Sequence, residues 1–109
     1  MREAQRARLE KAGWRIGTAA EFLGLSREEE ELVGLRVSLA RELRRRREAA
    51  ELTQVECARR LHSSQSRVAK MEAGEESVTL DLLIRSLLAL GATRSDVARA
   101  IKPGRTQAA

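Results

Sequence analysis

The stretch that decides the fold runs from Leu52 to Gly74 and reads LTQVECARRLHSSQSRVAKMEAG. Thr53 precedes Glu56 by three positions, the spacing at which a hydroxyl and a carboxylate cap each other's backbone donors at a helix start. The helix that follows turns Cys57, Ala58 and Leu61 to one side. After His62 and Ser63, Ser64 opens a second short helix, Gln65 to Glu72, with Val68 and Met71 on its inner side and Gly74 at its end. Two short helices joined by so tight a turn must cross closely, and Ala58 is small enough to permit it. The outer face of the second helix carries Gln65, Ser66, Arg67 and Lys70, with no acid among them.

Reading outward toward the N-terminus, Ser26 and Glu29 form another capping box. It predicts a long helix with Leu32, Leu35, Leu39 and Leu43 on one face. Acids Glu28 to Glu31 open this helix and bases Arg44 to Arg47 close it, as the helix dipole favours. Toward the C-terminus, Thr79 to Leu90 is apolar nearly all round and stops at Gly91, more apolar surface than one side of a small bundle covers. Thr93 and Asp96 start a last helix that ends near Ile101, before Pro103-Gly104. Within the first 34 residues, a helix is expected from Arg2 to Lys11 and a shorter one capped by Thr18. Trp14, Ile16, Phe22, Leu23 and Leu25 make that segment too apolar for a free tail; it covers the bundle or engages a second chain. Trp14 and Phe22 are the only aromatics, so the core is built from Leu, Val, Ile and Ala. The expectation is an all-α fold, a compact bundle of about five helices. It divides into an N-terminal helical extension (1–34), a core domain (35–101) and a flexible tail (102–109).

The net charge is +5 and the isoelectric point about 10.6. Between Arg36 and Glu72 stand ten bases and five acids, so this third of the chain carries the excess and an anionic partner is expected. Arg44 and Arg45 are candidates to grip phosphates. The single cysteine, Cys57, excludes an internal disulfide and fits a reducing cytoplasm. No apolar run approaches the ~20 residues of a membrane span, and the charged N-terminus lacks a signal-peptide core. A soluble cytoplasmic protein is expected. Cys57 and His62 cannot assemble a zinc site without two further ligands. There is no Gly-rich phosphate loop, and no acid pair stands out from the capping and solvated acids. Neither metal, cofactor nor catalysis is expected.

The Leu52–Gly74 unit has the build of a helix-turn-helix, and here the sequence resembles the Xre or lambda-repressor-like DNA-binding family. The matching residues are Leu52-Thr53-Gln54, Ala58, Leu61, Ser64-Gln65-Ser66, Glu72 and Gly74, then Leu80, Leu82-Leu83 and Gly91. The resemblance spans about Leu35 to Ile101. It implies that Gln54 contacts a phosphate and supports the recognition helix, and that Ser64 opens that helix at the DNA. Gln65, Ser66 and Arg67 would face bases, and Lys70 a base or phosphate. It also implies an ion pair between Arg47 and Glu72 that sets the angle of the recognition helix. The sequence departs from the family at Glu51 and His62, where glycine with positive φ is usual, and at Glu75 and Glu76, which would repel phosphate from the following loop. The resemblance implies a homodimeric, sequence-specific repressor on double-stranded DNA, with half-sites about one turn apart. The rival from another class is an antitoxin-like module that neutralises a partner protein such as a toxin.

Overall fold

The fold is that of a computed structural model, which describes Gly24 and residues 26–102. Five helices follow in order: α1 (Arg27–Ala49), α2 (Gln54–Arg60), α3 (Gln65–Glu72), α4 (Leu80–Ala89) and α5 (Arg94–Ile101). No strand occurs among the described residues. The fold is all-α. The chain divides into two compact units, Met1–Gly34 and Leu35–Ala109, and the second holds the core. The helices expected at Arg2–Lys11 and after Thr18, the apolar residues Trp14 to Leu25, and the tail beyond Lys102 lie outside the described residues.

Each helix starts where its capping chemistry dictates. Ser26 exchanges hydrogen bonds with Glu29, and Thr53 with Glu56, each hydroxyl accepting from the third backbone N–H while the acid accepts from the cap. Thr93 and Asp96 repeat the box at α5, and Thr79 caps α4 by accepting from Leu82 N. A lost cap of this kind costs about 1 kcal/mol.

The ends of α1 to α4 share one closure, while α5 ends in the extended Lys102. At Gly74 and Gly91 the chain reverses with φ of +68° and +97°. The next N–H in each case reaches back five residues to a helix carbonyl, Glu75 N to Lys70 O and Ala92 N to Leu87 O. The same double closure ends α1 and α2, but there Glu51 (φ 60°) and His62 (φ 55°) occupy the left-handed position. Leu52 N donates to Arg47 O and Ser63 N to Ala58 O. The two departures from glycine therefore sit in the left-handed conformation despite carrying a Cβ, at a cost of about 1 kcal/mol each.

The core gathers Leu39 and Leu43 of α1, Cys57 and Ala58 of α2, Val68 and Met71 of α3, and Leu83 and Leu87 of α4, closed by Val78, Ala92 and Val97. Burying a side chain of this kind contributes about 1.5–3 kcal/mol. The buried Ser86 hydroxyl donates to the Met71 sulfur at 3.4 Å, a weak acceptor inside an apolar core. Of the leucine stripe expected on α1, only the later half is buried. Leu39 and Leu43 are inaccessible, whereas Leu32 stays 43% exposed because every core residue on α1 lies at or beyond position 39.

Candidate nucleic-acid interface

Helices α2 and α3 pack against each other across the four-residue turn Leu61–Ser64, in which His62 takes the left-handed position. Ser64 caps α3 by accepting from Arg67 N at 3.2 Å. This fixes which residues of α3 point away from the core. Val68 and Met71 are buried, and Gln65, Ser66, Arg67 and Lys70 are exposed. The exposed set has two neutral hydrogen-bonding side chains and two cations, the inventory that base edges and phosphates require.

A chain of side chains runs from the end of α1 to the first residue of that face. Arg47 donates from Nε to Glu72 Oε2 at 2.5 Å and from Nη2 to Glu72 Oε1 at 3.1 Å, a two-pronged contact. Its Nη1 donates to the Leu52 carbonyl at 2.8 Å, so one guanidinium joins α1, the turn before α2 and the end of α3. The pair is withdrawn from water, with side-chain exposures of 13% for Arg47 and 5% for Glu72. The hydrogen bonds that Arg47 donates to Glu72 push its pKa above its ordinary value. Gln54 Nε2 then donates to Glu72 Oε1 at 3.2 Å, and Gln65 Nε2 donates to Gln54 Oε1 at 2.7 Å. The ionised carboxylate can only accept, so it turns the Gln54 amide nitrogen toward itself and the Gln54 oxygen toward Gln65. Gln65 keeps its own Oε1 and one N–H for an outside partner.

Beside this chain lies an open pocket of about 290 Å³ lined by Ser64, Ser66, Arg67, Lys70, Ser77, Val78 and Leu82. Two cations and three hydroxyls line it over two apolar residues, with no acid in its wall. The loop contributes Ser77 and Val78, held in place by Arg36, whose Nε donates to the Val78 carbonyl at 3.2 Å. Glu75 and Glu76 line no part of it; the Glu75 carboxylate instead accepts from Ser77 Oγ at 3.4 Å. Sequence reasoning missed Ser77, Val78, Leu82 and Arg36. Nothing local marks them, because they act across the bundle.

Arg44 and Arg45 are brought to none of these residues. Arg44 Nε bonds Glu48 at 3.1 Å and Arg45 forks onto Glu42 at 3.0 and 2.7 Å, all within α1. Cys57 is fully buried, and burial pushes its thiol pKa up, so it is a core residue and not a nucleophile. No group of three metal-ligating side chains occurs among the described residues. No helix among them is long and apolar enough to cross a membrane.

A profile of a family described as a helix-turn-helix domain matches residues 38–100, more than half of the chain. No curated protein and no solved structure matches the chain significantly.

Proposed function

The chain belongs to the helix-turn-helix domain family, and on that premise we propose that it is a sequence-specific transcriptional regulator, a repressor, that binds double-stranded DNA as a homodimer. The observation that carries the reading is the outer face of α3, four exposed hydrogen-bonding and cationic side chains without an acid, with Gln65 oriented through Gln54 by the buried Glu72. In this reading residues 64–72 enter the major groove. Gln65 offers an acceptor and a donor, the pair that adenine's N6 and N7 demand, and Arg67 offers the fork that guanine's O6 and N7 demand. Lys70 and the hydroxyls of Ser64 and Ser66 receive the sugar–phosphate backbone in the pocket beside α3. Gln54 positions Gln65 and has one N–H left for a phosphate. Arg44 and Arg45, 62% and 65% exposed, add unspecific attraction weakened by their own glutamates.

Selection of bound duplexes from a random pool, followed by titration of the winner over a salt series, tests this. A site containing adenine and guanine should emerge. The logarithm of affinity should fall with the logarithm of salt by about 0.9 per neutralised phosphate. Absence of duplex binding at ~50 mM salt would end the reading.

A further inference from the structure

We propose that the face of α4 carrying Leu80, Ile84 and Leu88 seats a second copy of this chain, packed antiparallel about a two-fold axis. This deepens the homodimer half of the proposed function and is independent of whether the protein binds DNA.

Three facts about α4 converge. The first is its apolar excess. Leu83 and Leu87 are buried and satisfy the core, yet Leu80 and Ile84 are only partly covered and Leu88 is 49% exposed. At positions i, i+4 and i+8 these three form one stripe that continues the core face round the helix toward water. Scattered exposed leucines need no explanation; a contiguous stripe does.

The second is the charge pattern beside the stripe. Asp81 and Arg85 flank it on one side, 3.1 Å apart and 80% and 77% exposed. When two identical helices pack antiparallel about a two-fold axis, each flank meets the same flank of its partner. With Ile84 at the axis, Asp81 of one copy lies about 3 Å along the axis from Arg85 of the other, given a rise of about 1.5 Å per residue. The two pairs then cross the interface in both directions, so the flank is complementary to itself. A parallel arrangement would set this flank against the opposite one and lose that match. The isologous geometry is the one a closed dimer needs.

The third is separation from the pocket. Leu82, which lines the basic pocket, lies about 160° round α4 from Ile84 at about 100° per residue. A partner on the stripe leaves the pocket wall free. The stripe spans fewer than three turns, so the dimer should be weak when no ligand holds both copies.

Sedimentation equilibrium of the full chain without DNA, up to about 100 μM, reads the association directly. The wild type should form a dimer, and Leu88→Glu should raise its dissociation constant at least about tenfold. Asp81→Arg and Arg85→Asp should each weaken self-association, because like charges then face each other. An equimolar mixture of these two variants should associate again as a mixed dimer, and so should the double exchange within one chain. Circular dichroism of each variant should match the wild type, since all three positions are exposed. A wild type that stays monomeric, a dimer indifferent to Leu88→Glu, or a mixture that fails to associate would overturn the proposal. Binding of each variant to a single half-site, measured separately, should be unchanged; loss of DNA binding by the wild type would strike the DNA reading and leave the dimer face standing.

Discussion

Arg46 and Arg47 are neighbours at the end of the same helix, yet they hold the molecule in different ways. Arg47 reaches Glu72 on α3 and engages both carboxylate oxygens, with little water around either partner. Arg46 turns the other way, to Asp96 on α5 at 2.8 Å and to Glu42 on its own helix at 3.0 Å. Its partners are shared. Asp96 also caps α5 through Thr93 and meets Arg99, while Glu42 also holds Arg45. The first contact is a single buried fork on which a chain of two glutamines depends; the second is one strand of a shared mesh, in which Arg46, Glu42 and Asp96 are 21%, 15% and 19% exposed while Arg45 and Arg99 stand open to water. Removing a partner from the fork strands a charge, whereas the mesh can close over a gap.

The largest break should come from Arg47→Met. Stranding Glu72 at 5% exposure should cost about 3 kcal/mol of unfolding free energy, read by urea denaturation. Adding Glu72→Met to that variant should recover part of the loss, so that a double-mutant cycle is non-additive. Additive losses would show that the fork does not couple α1 to α3.

Next in size is the far end of the chain that Arg47 anchors. Gln65→Ala should cost about 1–3 kcal/mol on the best duplex site and much less on random DNA. Gln54→Ala should reproduce part of that loss, because Gln65 then loses the partner that orients it. Equal losses on selected and random duplexes would make Gln65 a backbone contact.

A gain is expected at the turns that flank α2. Glu51→Gly and His62→Gly relieve the left-handed strain at φ of 60° and 55°. Part of the relief is offset by the greater freedom of glycine in the unfolded chain, leaving up to about 0.5 kcal/mol of stabilisation each. The thermal midpoint reads this. A fall in the midpoint would mean that the side chains, and not the backbone, stabilise these turns.

The smallest effect belongs to the mesh. Arg46→Met should destabilise far less than Arg47→Met in the same urea measurement. Acid should loosen the mesh gradually. Glu42 titrates below its usual 4.5, chiefly because Arg45 hydrogen-bonds its ionised form, and Asp96 below its usual 3.8, chiefly because the Thr93 N–H does so. A carboxylate whose folded pKa is depressed stabilises the fold above its unfolded pKa, and that stability disappears as pH falls through the folded one. The thermal midpoint should therefore decline progressively below about pH 4.5, and Glu42→Gln should flatten the upper part of that decline. A midpoint unchanged down to pH 3 would exclude these acids as contributors.

The residue sequence was enough to place the five described helices, because capping is local chemistry. Ser26–Glu29, Thr53–Glu56 and Thr93–Asp96 each act over three residues, and Gly74 and Gly91 mark helix ends because glycine enters the left-handed conformation without a Cβ penalty. The buried side of α3 was legible for the same reason, since periodicity alone separates Val68 and Met71 from Gln65 and Arg67. Other features belonged to tertiary structure. The partners of Arg36 and Arg46 lie 42 and 50 positions away. The basic pocket needs α3, the Glu75–Thr79 loop and α4 in one place. Leu32 has the spacing of a core residue, but spacing assigns a face and not a depth. Short-range rules state where helices begin, end and turn their apolar sides. Which charge meets which, and which loop residues face α3, is decided only when the helices pack, because those contacts are set by distances in space that no interval along the chain encodes.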